Sequence, residues 1–279
     1  TRRGDLKHYD QFLKTYEGVK FETIYHLAAK TKAGDYCLTH SGEQWVDNQS
    51  INTNIIRYWS RHQPDANFIT MGTSCAYGAD NLALFESTYM DGEPEDGLYT
   101  YAYTKRMLYT GLQAVHKQFG LDYRYLIPST LYGPGFEEGD RHFIFDLIRK
   151  IYNGYHYGDT VTLWGDGSQV RELIYIDDAI KLMGAYMSQD EVKIANMTSS
   201  TFGSIQHFAE HICAQIGFDP SDIKYDTSRY VGNRKRILHH AQSQAILGTD
   251  YVQKLELTSL VDGLEETIKY YHEHFGNRR

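Results

Sequence analysis

The chain has 279 residues, of which 41% are hydrophobic and 23% charged, the balance of an ordinary globular protein large enough for one big domain or two modest ones. A net charge of −8, from 28 Lys and Arg against 36 Asp and Glu, speaks against general affinity for nucleic acid or anionic membranes, so any anionic ligand needs a local basic patch. No run approaches the ~18 consecutive apolar residues of a membrane span, and the opening TRRGDLKHYD lacks the apolar core of a secretory signal. Cys37, Cys75 and Cys213 are odd in number and widely spaced, which predicts a reducing, cytoplasmic setting rather than a disulfide framework.

In chain order, residues 21–28 form a β-rich run that ends in small residues. Ser41 with Gln44 three residues on predicts a capping box, and Trp45, Asn48, Ile51, Ile55 and Trp59 behind it fall on one helical stripe. Residues 67–71 read as a buried strand, 72–78 as a loop, 98–118 as a long helix and 123–128 as another strand. Strand, helix, strand, helix is the pattern of a parallel sheet covered on both faces.

After Gly135 the texture changes. The pattern predicts helices over 142–155 and 176–187, and strands over 161–164, 170–175 and 192–197. From Ser204 onward it is mostly helical, interrupted by the basic loop Arg234, Lys235, Arg236. The expected fold class is α/β, a doubly wound parallel Rossmann-type sheet with a smaller mixed α/β lobe. Residues 1–135, with 168–197 returning to them, are expected to bind a dinucleotide; 136–167 and 198–279 are expected to form the substrate lobe. A nucleotide-binding sheet opens with a strand, a glycine-rich turn and a helix. Here Gly4 stands alone before Asp5 and Leu6, so a βαβ opening is expected to be missing from this sequence.

Tyr101 and Lys105 are four apart on a predicted helix and share a face. An ammonium beside a phenol stabilises the phenolate and makes Tyr an acid/base group near neutral pH. In a chain with 24 tyrosines this pair alone is a weak signal. It gains weight from its neighbours: a strand leads into Gly72-Thr-Ser-Cys-Ala-Tyr-Gly78 before it, and another into Pro128-Ser-Thr-Leu-Tyr-Gly-Pro134 after it. Such loops emerge at the carboxyl ends of parallel strands, where ligands bind.

Together with Tyr25-His-Leu-Ala-Ala29, these segments resemble the extended short-chain dehydrogenase/reductase family over nearly the whole chain. Within it the chain most resembles the group of GDP-L-fucose synthases and their relatives, which act on GDP-4-keto-6-deoxy-hexoses and similar heptoses. That resemblance implies that Thr73 hydrogen-bonds the sugar C4 oxygen, that Tyr101 protonates it as hydride arrives, and that Lys105 holds the nicotinamide ribose. It places Asp5 and Leu6 at the adenine, Ala28 and Ala29 beside the cofactor phosphates and ribose, and Pro128 and Leu131 beside the nicotinamide. Cys75 and His142 match the group's acid/base pair, and His142 also falls on a cofactor position. Inverting C3 or C5 beside a C4 carbonyl needs one group to remove a proton and another to return it from the opposite face.

Lys150, Trp164, Arg171 and Arg234 fall on the group's substrate positions. Two departures, Val231 in place of an Asp and Thr130 in place of an Asn, bear on the nucleotide and sugar rather than on the reaction class. Arg2 and Arg3 suit a 2′-phosphate and favour NADP(H) over NAD(H). The resemblance also implies a homodimer through the helices bearing Trp45 and Tyr101. A competing pattern, His207-Phe-Ala-Glu-His211, fits a zinc-protease motif, but Ile205, Phe208 and Ile212 make a packing stripe and no third ligand motif is evident, so no metal is expected. A 4,6-dehydratase would carry acids where Ser74 and Cys75 stand. A plain C4 epimerase would leave Cys75 and His142 idle, and a chain without a glycine loop could instead be a non-catalytic binding protein.

Overall fold

The computed structural model describes residues 2–31, 36–81, 83–140, 142–229 and 232–276. In chain order its elements begin with α1 (Tyr9–Thr15), β1 (Thr23–His26), α2 (Tyr36–Thr39), α3 (Ser41–His62) and β2 (Asn67–Met71). There follow α4 (Tyr99–Phe119), β3 (Tyr123–Pro128), β4 (Thr130–Tyr132), α5 (Phe143–Tyr157) and β5 (Thr162–Trp164). Next come β6 (Val170–Tyr175), α6 (Ile176–Met187), β7 (Ile194–Met197), β8 (Thr201–Ser204) and α7 (Ile205–Ile216). The last are β9 (Lys224–Asp226), β10 (Lys235–Arg236), α8 (Ala241–Leu247), α9 (Tyr251–Lys254) and α10 (Leu260–Phe275). The chain divides into two compact units, one of residues 1–81, 86–127 and 186–195, the other of 82–85, 128–185 and 196–279. By contacts, residues 168–185 group with the second unit.

The first unit is built on the parallel sheet β1-β2-β3-β7. Thr23 pairs with Asn67 and Phe68 with Tyr123, so the carboxyl ends of β1, β2 and β3 lie at one edge. Phe68, Ile69, Tyr125 and Leu126 are buried, as strands covered on both faces require. Trp59 of α3 stacks on Phe68 at 4.6 Å and donates its indole N–H to the Ala66 carbonyl at 2.9 Å. Helix α4 lays Leu108 and Leu112 inward and stops at Gly120, whose φ of +71° is the left-handed cap that glycine accepts most readily.

The start of α3 differs from the expected capping box. His40 precedes the helix without a side-chain cap, and Ser41 is its first residue. Gln44 turns inward instead and donates to the Lys30 carbonyl at 3.2 Å. Trp45 is 37% exposed, and the buried face carries Gln44, Asn48, Asn52, Ile55, Tyr58 and Trp59. Three of those six positions are amides; Gln44 and Asn48 bond Lys30 in the loop after β1, and Asn52 bonds His26 of β1 and the Thr104 carbonyl of α4.

The second unit carries a mixed sheet in which β6 pairs in parallel with β4 and β10 and antiparallel with β8. Its core joins Ile144, Ile148 and Ile151 of α5 to Leu173, Phe208, Ile212 and Leu264. The stretch after Ser204, expected to be mostly helical, also contains β9 paired with β5 and β10 paired with β6. Both strands are short, two and three residues, too brief to leave a period-2 pattern in the sequence.

Candidate active site

Strand β2 ends at Met71, and Gly72 follows because a Cβ there would meet the Tyr125 ring at 2.6 Å. Thr73 then takes an extended backbone and caps a short 3-10 turn, Ser74–Ala76, its hydroxyl accepting from the Cys75 N–H at 3.3 Å. Helix α4 sets Tyr101 and Lys105 one turn apart. The Thr73 side chain is a hydrogen-bonding partner of the Tyr101 phenol, and the buried Lys105 ammonium donates to the Met71 carbonyl at 2.8 Å. Thr73, Tyr101 and Lys105 thus meet at the carboxyl end of β2, and Cys75 lies close enough to help raise the Tyr101 phenol.

Burial pushes the Tyr101 phenol up, and Cys75, Tyr89 and Cys37 push in the same direction against the Thr73 hydrogen bond. The expectation that Lys105 would lower this phenol does not hold, because desolvation of the buried ring outweighs the one lowering influence on it, the Thr73 hydrogen bond. Tyr101 accordingly keeps its proton at neutral pH, the form in which it can donate. Burial pushes Lys105 down to about 8.

Arg106, His26 and three amides of α3, none of them given a site role from the sequence, hold this arrangement. Arg106, buried, donates to the carbonyls of Ala76 at 2.8 Å, Gly92 at 2.8 Å and Asp91 at 2.9 Å, fixing the loop after Thr73. Asn52 lies 3.1 Å from His26 Nε2 and donates to the Thr104 carbonyl at 3.3 Å. Burial pushes His26 down to about 4, so it stays neutral near Lys105. Asn48 accepts from the Lys30 N–H at 2.8 Å, and with Gln44 it holds the segment that follows Ala28 and Ala29. The signal was present in the sequence as amides four apart on α3: Gln44, Asn48, Asn52.

A cavity of about 270 Å³ in the first unit is lined by Leu6, Phe12, Tyr25, Ala28, Ile55 and Tyr58 among others. It brings Leu6 and Ala28, both expected near the dinucleotide, to one space. The Asp5 carboxylate accepts from the Lys7 N–H at 2.9 Å, and Arg3 is exposed. Ala29 is half-buried. For a nicotinamide dinucleotide the reacting end fits: a hydroxyl, a protonated phenol and an ammonium converge there. In the second unit, the Ser129 hydroxyl, between Pro128 and Leu131, is buried with no hydrogen-bond partner among the described residues.

In the second unit His142 precedes α5, its backbone N–H donating to Asp140 Oδ1 at 2.9 Å and its Nδ1 lying 2.6 Å from the same oxygen. Lys150 pairs with Asp146 at 2.8 Å and lies 5.9 Å from the centre of the exposed Trp164 ring. Arg229, a position not expected in the site, lies 5.4 Å from that ring. Arg171 donates to the Asn233 carbonyl at 2.8 Å, and the Arg234 carbonyl accepts from Val170 at 2.8 Å, so these two arginines meet where β6 joins β10. Val231 lies outside the described residues, and Thr130 opens β4. His207 and His211 stand perpendicular at 4.6 Å on α7, whose Phe208 and Ile212 are buried in the core.

A parallel sheet of this order, with a tyrosine and a lysine one helical turn apart at its carboxyl edge, defines the class: a Rossmann-type enzyme that uses NAD(P). The chain belongs to the NAD dependent epimerase/dehydratase family, whose pattern it matches over residues 1–197. It is 26% identical over 236 residues to the GDP-L-fucose synthase of Escherichia coli (strain K12), covering 78% of this chain and 72% of that one. It is 23% identical over 280 residues to the GDP-L-fucose synthase of Dictyostelium discoideum, covering 99% and 86%. Among solved structures, a GDP-L-fucose synthetase from Naegleria fowleri bound to NADP superposes with a TM-score of 0.83 at 23% identity, covering 99% of this chain and 84% of that one.

Proposed function

We propose that the chain epimerises a nucleotide-linked 4-keto-6-deoxy sugar, with GDP as the nucleotide, at C3 and C5 and reduces it at C4 with NADPH. The observation that carries this reading is the Tyr101 phenol placed beside the Thr73 side chain, with the Lys105 ammonium one helical turn on and bonded to the Met71 carbonyl at the end of β2. Thr73 holds the C4 oxygen by a hydrogen bond. Tyr101 donates its proton to that oxygen, and the phenolate left behind takes a proton back from solvent. Lys105 holds the ribose hydroxyls, with Pro128 and Leu131 against the nicotinamide. The bound dinucleotide supplies the hydride that reaches C4. Before reduction, the C4 carbonyl acidifies the protons at C3 and C5; Cys75 and His142 are the groups that remove and return them, with no net change in protons. The Nδ1 of His142 against Asp140 supports this role, because it orients the ring and leaves Nε2 for proton transfer.

Lys150, Trp164, Arg171 and Arg234 bind the nucleotide diphosphate in this reading, and Leu6, Asp5, Ala28, Ala29 and the exposed Arg3 bind the dinucleotide, Arg3 favouring the 2′-phosphate. Residues 1–135 with 168–197 form the dinucleotide-binding part in this reading, and 136–167 with 198–279 the substrate part. Exposed Trp45, Val46 and Met107 on α3 and α4 support a homodimer through those helices. Among the described residues no helix is long and apolar enough to cross a membrane, and a thiol role for Cys75 suits a reducing cytoplasm. The test is a panel of nucleotide 4-keto sugars with NADPH in deuterated water. Deuterium at C3 and C5 together with reduction at C4 is the expected result. Reduction without deuterium removes the epimerase half, and no turnover of any member would falsify the whole reading.

A further inference from the structure

Two phenols behind the site are joined in a line. The Thr73 N–H donates to Tyr89 Oη at 3.4 Å, the Tyr89 and Tyr125 hydroxyl oxygens are 2.8 Å apart, and Tyr125 donates to the Lys105 carbonyl at 2.9 Å. The two ends fix the direction of every proton. An amide N–H can only donate and a carbonyl can only accept. Tyr125 therefore spends its proton on Lys105 and must accept from Tyr89, whose own oxygen accepts from Thr73. The Lys105 carbonyl lies inside α4 and has a second lone pair to offer. Tyr89 and Tyr125 are 1% and 0% exposed, so neither can touch a substrate. Burial pushes both phenols up, which keeps the proton each must donate.

We propose that Tyr89 and Tyr125 are positioning residues that hold the loop bearing Thr73 and Cys75 in register with the helix bearing Tyr101 and Lys105. Besides the line and the Thr73–Tyr101 hydrogen bond, the loop is tied to α4 among the described residues through Arg106 and the Lys105 ammonium. Both of those bonds reach backbone carbonyls on either side of Thr73, while the phenol line holds the Thr73 amide itself. Reacting groups misplaced by about 1 Å lose rate on the order of a hundredfold, and a loosened tether gives part of that loss. The effect on catalysis rests on the reduction proposed above; the tether does not.

The experiment compares the unaltered chain with Tyr89→Phe, Tyr125→Phe and the double variant. Tyr109→Phe is the control, because its ring packs 5.9 Å from Tyr89 and 4.9 Å from Tyr125 but its hydroxyl is not in the line. Amide hydrogen exchange over residues 72–77 is expected to quicken about tenfold in both single variants and not in the control. With NADPH and the 4-keto sugar, kcat falls about tenfold with KM within about twofold, and the double variant is no slower than the worse single. Unchanged loop exchange in both singles overturns the proposal, as does quickened exchange with an unchanged kcat, or a control that reproduces the effect. If the unaltered chain turns over no 4-keto sugar, the function reading falls, while the exchange comparison still decides whether the phenols hold the loop.

Discussion

The Lys105 ammonium donates to the carbonyl of Met71 at 2.8 Å, so the last residue of β2 and the middle of α4 are held together by the group expected to grip the cofactor ribose. Burial lowers this lysine to about 8 from an ordinary 10.5. Its charged form is the one that donates, so activity is expected to fall as pH rises through about 8, and Lys105→Met should be slow and lack that limb. Stability follows the same titration with the opposite sense. Between about 8 and 10.5 the unfolded chain binds more protons, so the cost of burying the charge is full below about 8 and fades as pH rises. The melting temperature of the native chain should therefore gain on that of Lys105→Met between pH 7 and pH 10. Parallel melting curves would show that the lysine keeps its ordinary titration.

Tyr101 acts in this scheme as an acid at C4 and has no part at C3 or C5. Tyr101→Phe is expected to lower kcat for reduction by about 10² to 10⁴-fold while leaving NADPH affinity within about threefold. Deuterium should still enter at C3 and C5, because those protons are handled by Cys75 and His142. The measurement is proton NMR of the unreduced keto sugar in deuterated water. Loss of exchange in this variant would mean that the phenol serves both half-reactions.

Trp164 offers an exposed ring with Lys150 and Arg229 each within 6 Å of its centre. Cations over an indole and a ring free to stack are what a base and diphosphate require. Trp164→Ala is expected to raise KM for the nucleotide sugar about tenfold at nearly unchanged kcat, since uniform binding is lost and the reacting groups are elsewhere. Lys150→Met should show the same pattern with a steeper response to salt in the native chain than in the variant. A fall in kcat at unchanged KM would place the indole in the chemistry instead.

Much of this architecture could be read from residue order, because burial on both faces leaves long apolar strands. The runs 123–128 and 170–175 coincide with β3 and β6, each legible from its buried apolar end, Tyr125–Ile127 and Leu173–Tyr175, although Arg124, Arg171 and Glu172 interrupt the rest. That Thr73 would stand beside Tyr101 was implied by the family resemblance of its loop and not by spacing. What stayed hidden depends on packing between segments distant in sequence. Tyr89, Tyr125 and Arg106 act through backbone carbonyls and amides, which carry no residue-type signature. The sign of the Tyr101 shift was hidden for a related reason. It is decided by burial of the phenol, which outweighs its hydrogen bond with Thr73, and spacing alone is silent on burial.

Glu172 gives the second unit a pH dependence of its own. It is 2% exposed on β6, accepts from the Leu238 N–H at 2.8 Å, and is hydrogen-bonded by the Thr198 hydroxyl. Burial pushes its carboxyl up to about 7, with hydrogen bonds from Thr198, Leu238 and Ser200 pulling the other way. Because the folded value exceeds the ordinary 4.5, the native state binds more protons between about 4.5 and 7. Its contribution is therefore full below about 4.5 and declines as pH rises through 7. Glu172→Gln removes the titration while keeping a group that can both accept from Leu238 and meet Thr198. The melting temperature of the native chain minus that of the variant is expected to shrink from pH 5 to pH 8 and then level off. His26, lowered to about 4, titrates in the opposite sense below its ordinary 6.5, but it is present in both proteins and cancels in the difference. A difference that stays constant across the range would show Glu172 ionised throughout, held so by its three donors against the cost of burial.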